Sequence, residues 1–139
     1  MLSYALAQRV GQTVTVEMAR EVLRELFPDK TPDPASFGEK VYQGFVFRCE
    51  SFDDVLPELH HLHEMQWQET ERARDGLAMR PNYEHMREAE RRGEMLQFTA
   101  RCDGKLVGGS RIYVLQDLHT RTPAAKEDTF YLLPEARKG

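Results

Sequence analysis

The dipeptide Asp103-Gly104 separates two runs of strand-forming residues, Met95 to Cys102 and Leu106 to Leu115. A two-residue connection that tolerates positive φ at both positions suits a type I′ turn, so the two runs are predicted to form an antiparallel hairpin. Gly108 and Gly109 fall inside the second run, where they signal a bulge or the close approach of another backbone or a ligand. Upstream, Val41 to Cys49 carries Tyr42, Phe45, Val46 and Phe47 and reads as one strand. Two helices are predicted between that strand and the hairpin. Ser51, Asp53 and Asp54 start the first, and Val55, Leu56, Leu59, Leu62 and Met65 recur at helical spacing toward Trp67, with an end near Arg74. Asp75-Gly76 breaks it. Pro81 opens the second helix, which passes through Tyr83, Met86 and Ala89 and closes at Gly93. A loop containing Pro123 then leads to a short last strand, Thr129 to Leu133, ended by Pro134.

Strand, helix, helix, hairpin, strand is an α+β order with a mainly antiparallel sheet. It occupies residues 41–139. Residues 1–40 form a separate helical arm: Val16, Met18, Ala19, Val22, Leu23, Leu26 and Phe27 recur at helical spacing from about Thr15, and Pro28, Pro32 and Pro34 then disfavour helix. The apolar stripe of that helix has to be buried, either on the following domain or by another subunit.

Charge and composition exclude several functions. With 19 Lys+Arg against 23 Asp+Glu the chain carries a formal charge of −4, a poor footprint for nucleic acid. No apolar run approaches the roughly 20 residues that span a bilayer, and no leader pattern opens the sequence, so no membrane partner is expected and a cytoplasmic location is. Cys49 and Cys102 lie far apart and outside any metal or redox spacing, and both read as small apolar residues in strands. His60, His63 and Glu64 can share a helix face, but His63-Glu64-Met65-Gln66-Trp67 lacks the second histidine of a zinc motif, so no metal is expected. The arginines and glutamates over positions 69–92 alternate and read as salt-laced helix faces.

Five segments occur in a telling order: Trp67-Gln68-Glu69, Pro81-Asn82-Tyr83, Thr99 to Gly108 across the hairpin, Asp117-Leu118-His119, and Asp128 to Gly139. From about Tyr42 onward they resemble the N-terminal half of a GNAT superfamily N-acetyltransferase, particularly the small GNAT proteins of tailed bacteriophages. The resemblance implies an incomplete GNAT-like fold, acetyl-CoA as donor and a primary amine as acceptor. It places Leu132 and Leu133 in the strand that offers backbone groups to pantetheine. It places Arg137, Lys138 and Gly139 at the start of the loop whose N–H groups hold the pyrophosphate. Glu69 and Asp128 are the candidate bases, and Trp67 and His119 the candidate substrate contacts.

The sequence reaches Gly139 before the loop's own glycines, which divides the expectation. One reading is the N-terminal portion of an acetyltransferase, completed beyond Gly139 or by a partner chain. The other is a noncatalytic structural or interaction protein, a virion component among them, built on a GNAT remnant. A homo-oligomer or assembly contact is expected through residues 15–27 and the edge of strand 129–133.

Overall fold

The structure, a computed structural model, describes residues 9–26 and 34–137. The chain divides into two compact units, Met1–Pro32 and Asp33–Gly139. In the first, helix α1 spans Val16–Leu26. It starts where the Thr15 hydroxyl accepts the Met18 N–H at 3.1 Å, the usual N-cap arrangement. Val22 on its apolar stripe is buried. Phe27, Pro28 and Pro32 lie outside the described residues, and Pro34 belongs to a 3-10 turn, Pro34–Ser36.

In the second unit the strand expected over 41–49 is instead a hairpin of β1, Lys40–Tyr42, and β2, Phe45–Glu50. Gln43 and Gly44 take φ of 48° and 81° at its turn, closely matching Asp103 and Gly104 at 51° and 78°. Both pairs therefore have the positive-φ form of a type I′ turn. Gln43 is not a residue that announces such a turn, so the continuous apolar run masked it.

Helix α2, Phe52–Gln68, follows. Its Ser51 cap makes no side-chain bond, and the Phe52 N–H is instead taken by the Glu90 carboxylate at 2.9 Å. The helix stops short of the expected Arg74 because Thr70 intervenes. The Thr70 hydroxyl donates to the Trp67 carbonyl at 2.7 Å and accepts the Ala73 N–H at 3.4 Å, starting the short helix α3, Glu71–Arg74. Helix α4, Tyr83–Arg91, is capped by Asn82, which accepts the His85 N–H at 3.0 Å, so Pro81 precedes the cap. At the other end Gly93 has φ 70°, its N–H reaches the Glu90 carbonyl at 2.9 Å, and the Glu94 N–H reaches Ala89 at 2.8 Å. These two bonds are those of a Schellman close.

Strands β3, Met95–Cys102, β4, Lys105–Gln116, and β5, Pro123–Leu132, complete a five-stranded antiparallel sheet in chain order, β1-β2-β3-β4-β5. Strand β5 begins well before the expected Thr129, because Lys126, Glu127 and Asp128 hide its period in the sequence. Two bulges shape the sheet. Ala100 faces Gly108 while Arg101 faces Leu106, leaving Val107 over, and Arg111 faces Thr129 while Ile112 faces Glu127, leaving Asp128 over. The close approach foreseen at Gly108 is present: a Cβ there would lie 2.7 Å from the Tyr131 carbonyl oxygen and 2.7 Å from Leu132 Cδ1.

The core forms where α2 and α4 cover one face of the sheet, bringing Phe52, Val55, Leu59, Leu62 and Ala89 together with Met95. Arg101 ties this layer down at one corner, donating to Glu50 at 2.9 Å and to Glu58 at 2.9 Å. No helix among the described residues is long and apolar enough to cross a membrane.

Candidate functional site

The bulge in β5 re-aims Asp128 toward Arg111 on β4. Arg111 Nε donates to Asp128 Oδ2 at 2.8 Å, and Nη2 lies 2.6 Å from the same oxygen. The arginine is 4% exposed, with Nη1 against the Met86 sulfur at 3.2 Å, so its charge sits under α4 with, among the described residues, one carboxylate paired to it. Nearby, the Tyr83 hydroxyl lies 2.9 Å from His60 Nδ1 and 3.3 Å from His63 Nδ1. The two histidines noted for a possible metal thus share a tyrosine, and among the described residues no group of three His, Cys, Asp or Glu is placed to hold an ion.

Burial, then the Arg111 charge and then His60, push the His63 imidazole down from 6.5 to about 4, so it is neutral at pH 7. Between those two values the unfolded chain binds a proton that the folded chain refuses. Stability is accordingly lost as pH falls through that window, by about 3 kcal/mol in all. Urea midpoints at pH 7 and pH 4.5 should show a clearly smaller acid loss for His63→Gln than for the parent chain, whereas equal losses would assign the effect to other groups.

A second cluster closes the exit of β5. Glu69, the residue that caps the C-terminal end of α2, receives the Tyr131 hydroxyl at 2.7 Å and Arg137 Nη2 at 2.9 and 3.0 Å. Arg137 Nε donates to the Leu132 carbonyl at 2.7 Å, and its guanidinium lies 5.1 Å from the centre of the Tyr131 ring. The 3-10 turn Pro134–Ala136 folds the chain back so that Arg137 can reach both partners. The bond from Arg137, then that from Tyr131, hold the Glu69 carboxyl below the usual carboxylate range.

The residues expected to share a site are thus partly assembled. Glu69, Leu132 and Arg137 meet, whereas Asp128 stands further back on the same strand with Arg111. Leu133 is buried and its N–H is used by the Val107 carbonyl at 2.8 Å. The Trp67 indole N–H goes to the Leu77 carbonyl at 3.0 Å, and the exposed His119 has its backbone N–H on Asp117 Oδ1 at 2.9 Å. Among the described residues no hydrogen bond or ion pair joins Trp67 or His119 to either carboxylate. Lys138 and Gly139 lie outside the described residues. The sequence reading does not single out Arg111, and it places Tyr83 in a helix without a partner for its hydroxyl. A lone arginine inside the apolar run Leu106 to Leu115 was the available signal, since a cation buried there needs a carboxylate.

The opposite face of the sheet is open and aromatic. Phe47 stands opposite Ala100, Phe98 opposite Ser110 and Ser110 opposite Phe130, which sets these residues on one face, alternating with the helix-covered Gln97 and Thr99. A cavity of about 600 Å³ lies there, lined by Phe45, Phe47, Phe98, Phe130 and Leu132, with Arg137 in its wall. That volume is within the range of small-molecule sites, about 300–1,000 Å³.

An antiparallel sheet in chain order, with the helices inserted between β2 and β3 and a bulged strand at one edge, is the α+β fold of GNAT-type N-acetyltransferases, present here in part. Solved structures with this fold include the aminoglycoside acetyltransferase meta-AAC0020 from an uncultured soil metagenomic sample. Its complex with sisomicin matches at TM-score 0.52 and 18% identity over 68% of this chain and 60% of that one. Its complex with trehalose matches at TM-score 0.51 and 19% identity, over 71% and 62%. A ribosomal-protein-alanine N-acetyltransferase from Brucella melitensis biovar Abortus 2308 aligns at TM-score 0.49 and 21% identity, over 67% and 60%. The chain therefore spans about three fifths of the length of these proteins. No family model matches the sequence, and no curated protein matches it.

Proposed function

We propose that this chain contributes the donor-binding and proton-accepting part of an N-acetyltransferase that moves acetyl from acetyl-CoA to a primary amine. The observation that carries this reading is the pairing of an acetyltransferase fold with a bulged strand whose exit presents Arg137 beside an open cavity. The residues present suit the donor. The edge of β5 can meet amides, Leu132 lies on that strand, and Arg137 supplies a cation where a diphosphate would follow. Lys138 and Gly139 belong to the same proposed grip. The thioester of acetyl-CoA supplies the acyl group.

The chain's own part is to receive a proton from the acceptor ammonium, directly or through water, so that the amine can attack. Asp128 is proposed for that step, because the bulge turns it out of the strand ladder while Arg111 orients it. His119, in the loop before β5, and Trp67, at the end of α2, are proposed contacts for the acceptor. Calorimetric titration with acetyl-CoA tests the reading, and an absence of binding would reject it.

The open aromatic face favours a second reading, in which another protein chain covers it. Phe130 is 71% exposed and Tyr42 65%, more apolar ring surface than a lone sheet face usually leaves to water. Assembly through this face, the β5 edge and residues 15–27 predicts an oligomer, and a strictly monomeric species in sedimentation would exclude it.

A further inference from the structure

Glu69, Tyr131 and Arg137 are joined far more tightly than an exposed ion pair requires. The guanidinium is fixed on three sides: by both Glu69 oxygens through Nη2, by the Leu132 carbonyl through Nε, and by the Tyr131 ring 5.1 Å away. Tyr131 in turn fixes the carboxylate, its hydroxyl donating to Glu69 Oε1 at 2.7 Å. All these contacts use one edge of the fork. Among the described residues Nη1 has no partner. An arginine gripping an anion ordinarily gives up the rotamer freedom of a long side chain at that moment. Here the freedom is already gone, so the two Nη1 donors point in a set direction before any ligand arrives. A carboxylate that accepts three hydrogen bonds is, by the same contacts, a poor acceptor for a substrate proton.

We infer that Glu69 and Tyr131 are positioning residues, which hold Arg137 with its Nη1 edge toward the diphosphate of the nucleotide donor, and that Glu69 does not take the acceptor's proton. The inference rests on the acetyl-CoA reading above, and it assigns the proton step to Asp128 alone of the two carboxylates.

The test uses the whole chain with two probes, coenzyme A followed by calorimetry and pantetheine, which lacks the diphosphate, followed by amide NMR shifts. Glu69→Ala should weaken coenzyme A about tenfold, the loss of one well-oriented charge-assisted hydrogen bond, and leave pantetheine unchanged. Glu69→Gln keeps an oxygen for Arg137, so its affinity should stay within about twofold of the parent. Tyr131→Phe keeps the ring under the guanidinium but loses the hydroxyl, and should fall between.

Three results would overturn the inference: coenzyme A affinity untouched by Glu69→Ala; coenzyme A and pantetheine weakened together, which is local unfolding; or Glu69→Gln abolishing amine acetylation while coenzyme A still binds, which is the behaviour of a base. Coenzyme A binding that depends on Glu69, without transfer to any amine, would support the inference and sink the catalytic reading instead.

Discussion

Asp128→Ala is expected to remove about 3 kcal/mol of folding stability, seen as a lower denaturant midpoint with an unchanged slope. The reason lies in its partner. Arg111 has a side chain only 5% exposed, and without Asp128 its guanidinium keeps, among the described residues, just the weak contact to the Met86 sulfur. Stranding a buried charge costs about 3–5 kcal/mol, and the lower end applies because Asp128 itself is 43% exposed, so water can reach the vacated side. Adding Arg111→Met should recover much of the loss, since neither charge then remains. A loss below about 1 kcal/mol in the single variant would make the pair an ordinary surface contact. On activity, Asp128→Asn should lower kcat/KM for amine acetylation by about 10²–10⁴ if this carboxylate takes the proton, with coenzyme A affinity preserved.

The second large effect is expected from the smallest change. Gly108→Ala places a methyl group 2.7 Å from the Tyr131 carbonyl oxygen and 3.3 Å from Leu132 Cα, atoms of a backbone that cannot swing aside. Strand β5 has to move away from β4, straining the Leu133 bond to Val107 and the approach of Arg137 to Glu69. A loss of about 3 kcal/mol follows, at the upper end for overpacking. Gly109→Ala is the internal control. Its new methyl would meet the Phe98 carbonyl at 3.0 Å and the movable Gln97 amide at 3.2 Å, so it should cost less. Equal midpoints for the two variants, or a milder effect at Gly108, would contradict this packing.

How much of this was legible depended on whether the signal was local. The Asp103-Gly104 hairpin and the stripe from Val55 to Met65 could be read because turn chemistry and helical period act over a few residues. Gln43-Gly44 adopts the same turn geometry, but its glutamine gives no hint of it, so the sequence reads as one strand where the structure has a hairpin. Thr70 ended a helix early because a hydroxyl competed for the backbone, an effect that propensity does not reveal. At the site, Glu69, Asp128, Leu132 and Arg137 were singled out through a family resemblance. The pairings among charges are not legible there, because Glu69 and Arg137 are 68 positions apart, and the link between Arg111 and Asp128 depends on a bulge. Residue type suggested chemistry; only packing could say which charges neutralise one another.

A sheet laid out in chain order has a consequence in time. Strands β3, β4 and β5 are joined by short connections, so they can zip together as hairpins, events of about 1–10 μs. The β1–β2 hairpin can close equally fast by itself. Pairing β2 with β3 is different, because α2, α3 and α4 lie between them and that long loop must be closed first. Refolding should therefore wait on a single docking event, in which α2 and α4 settle and carry Phe45 through Glu50 into register.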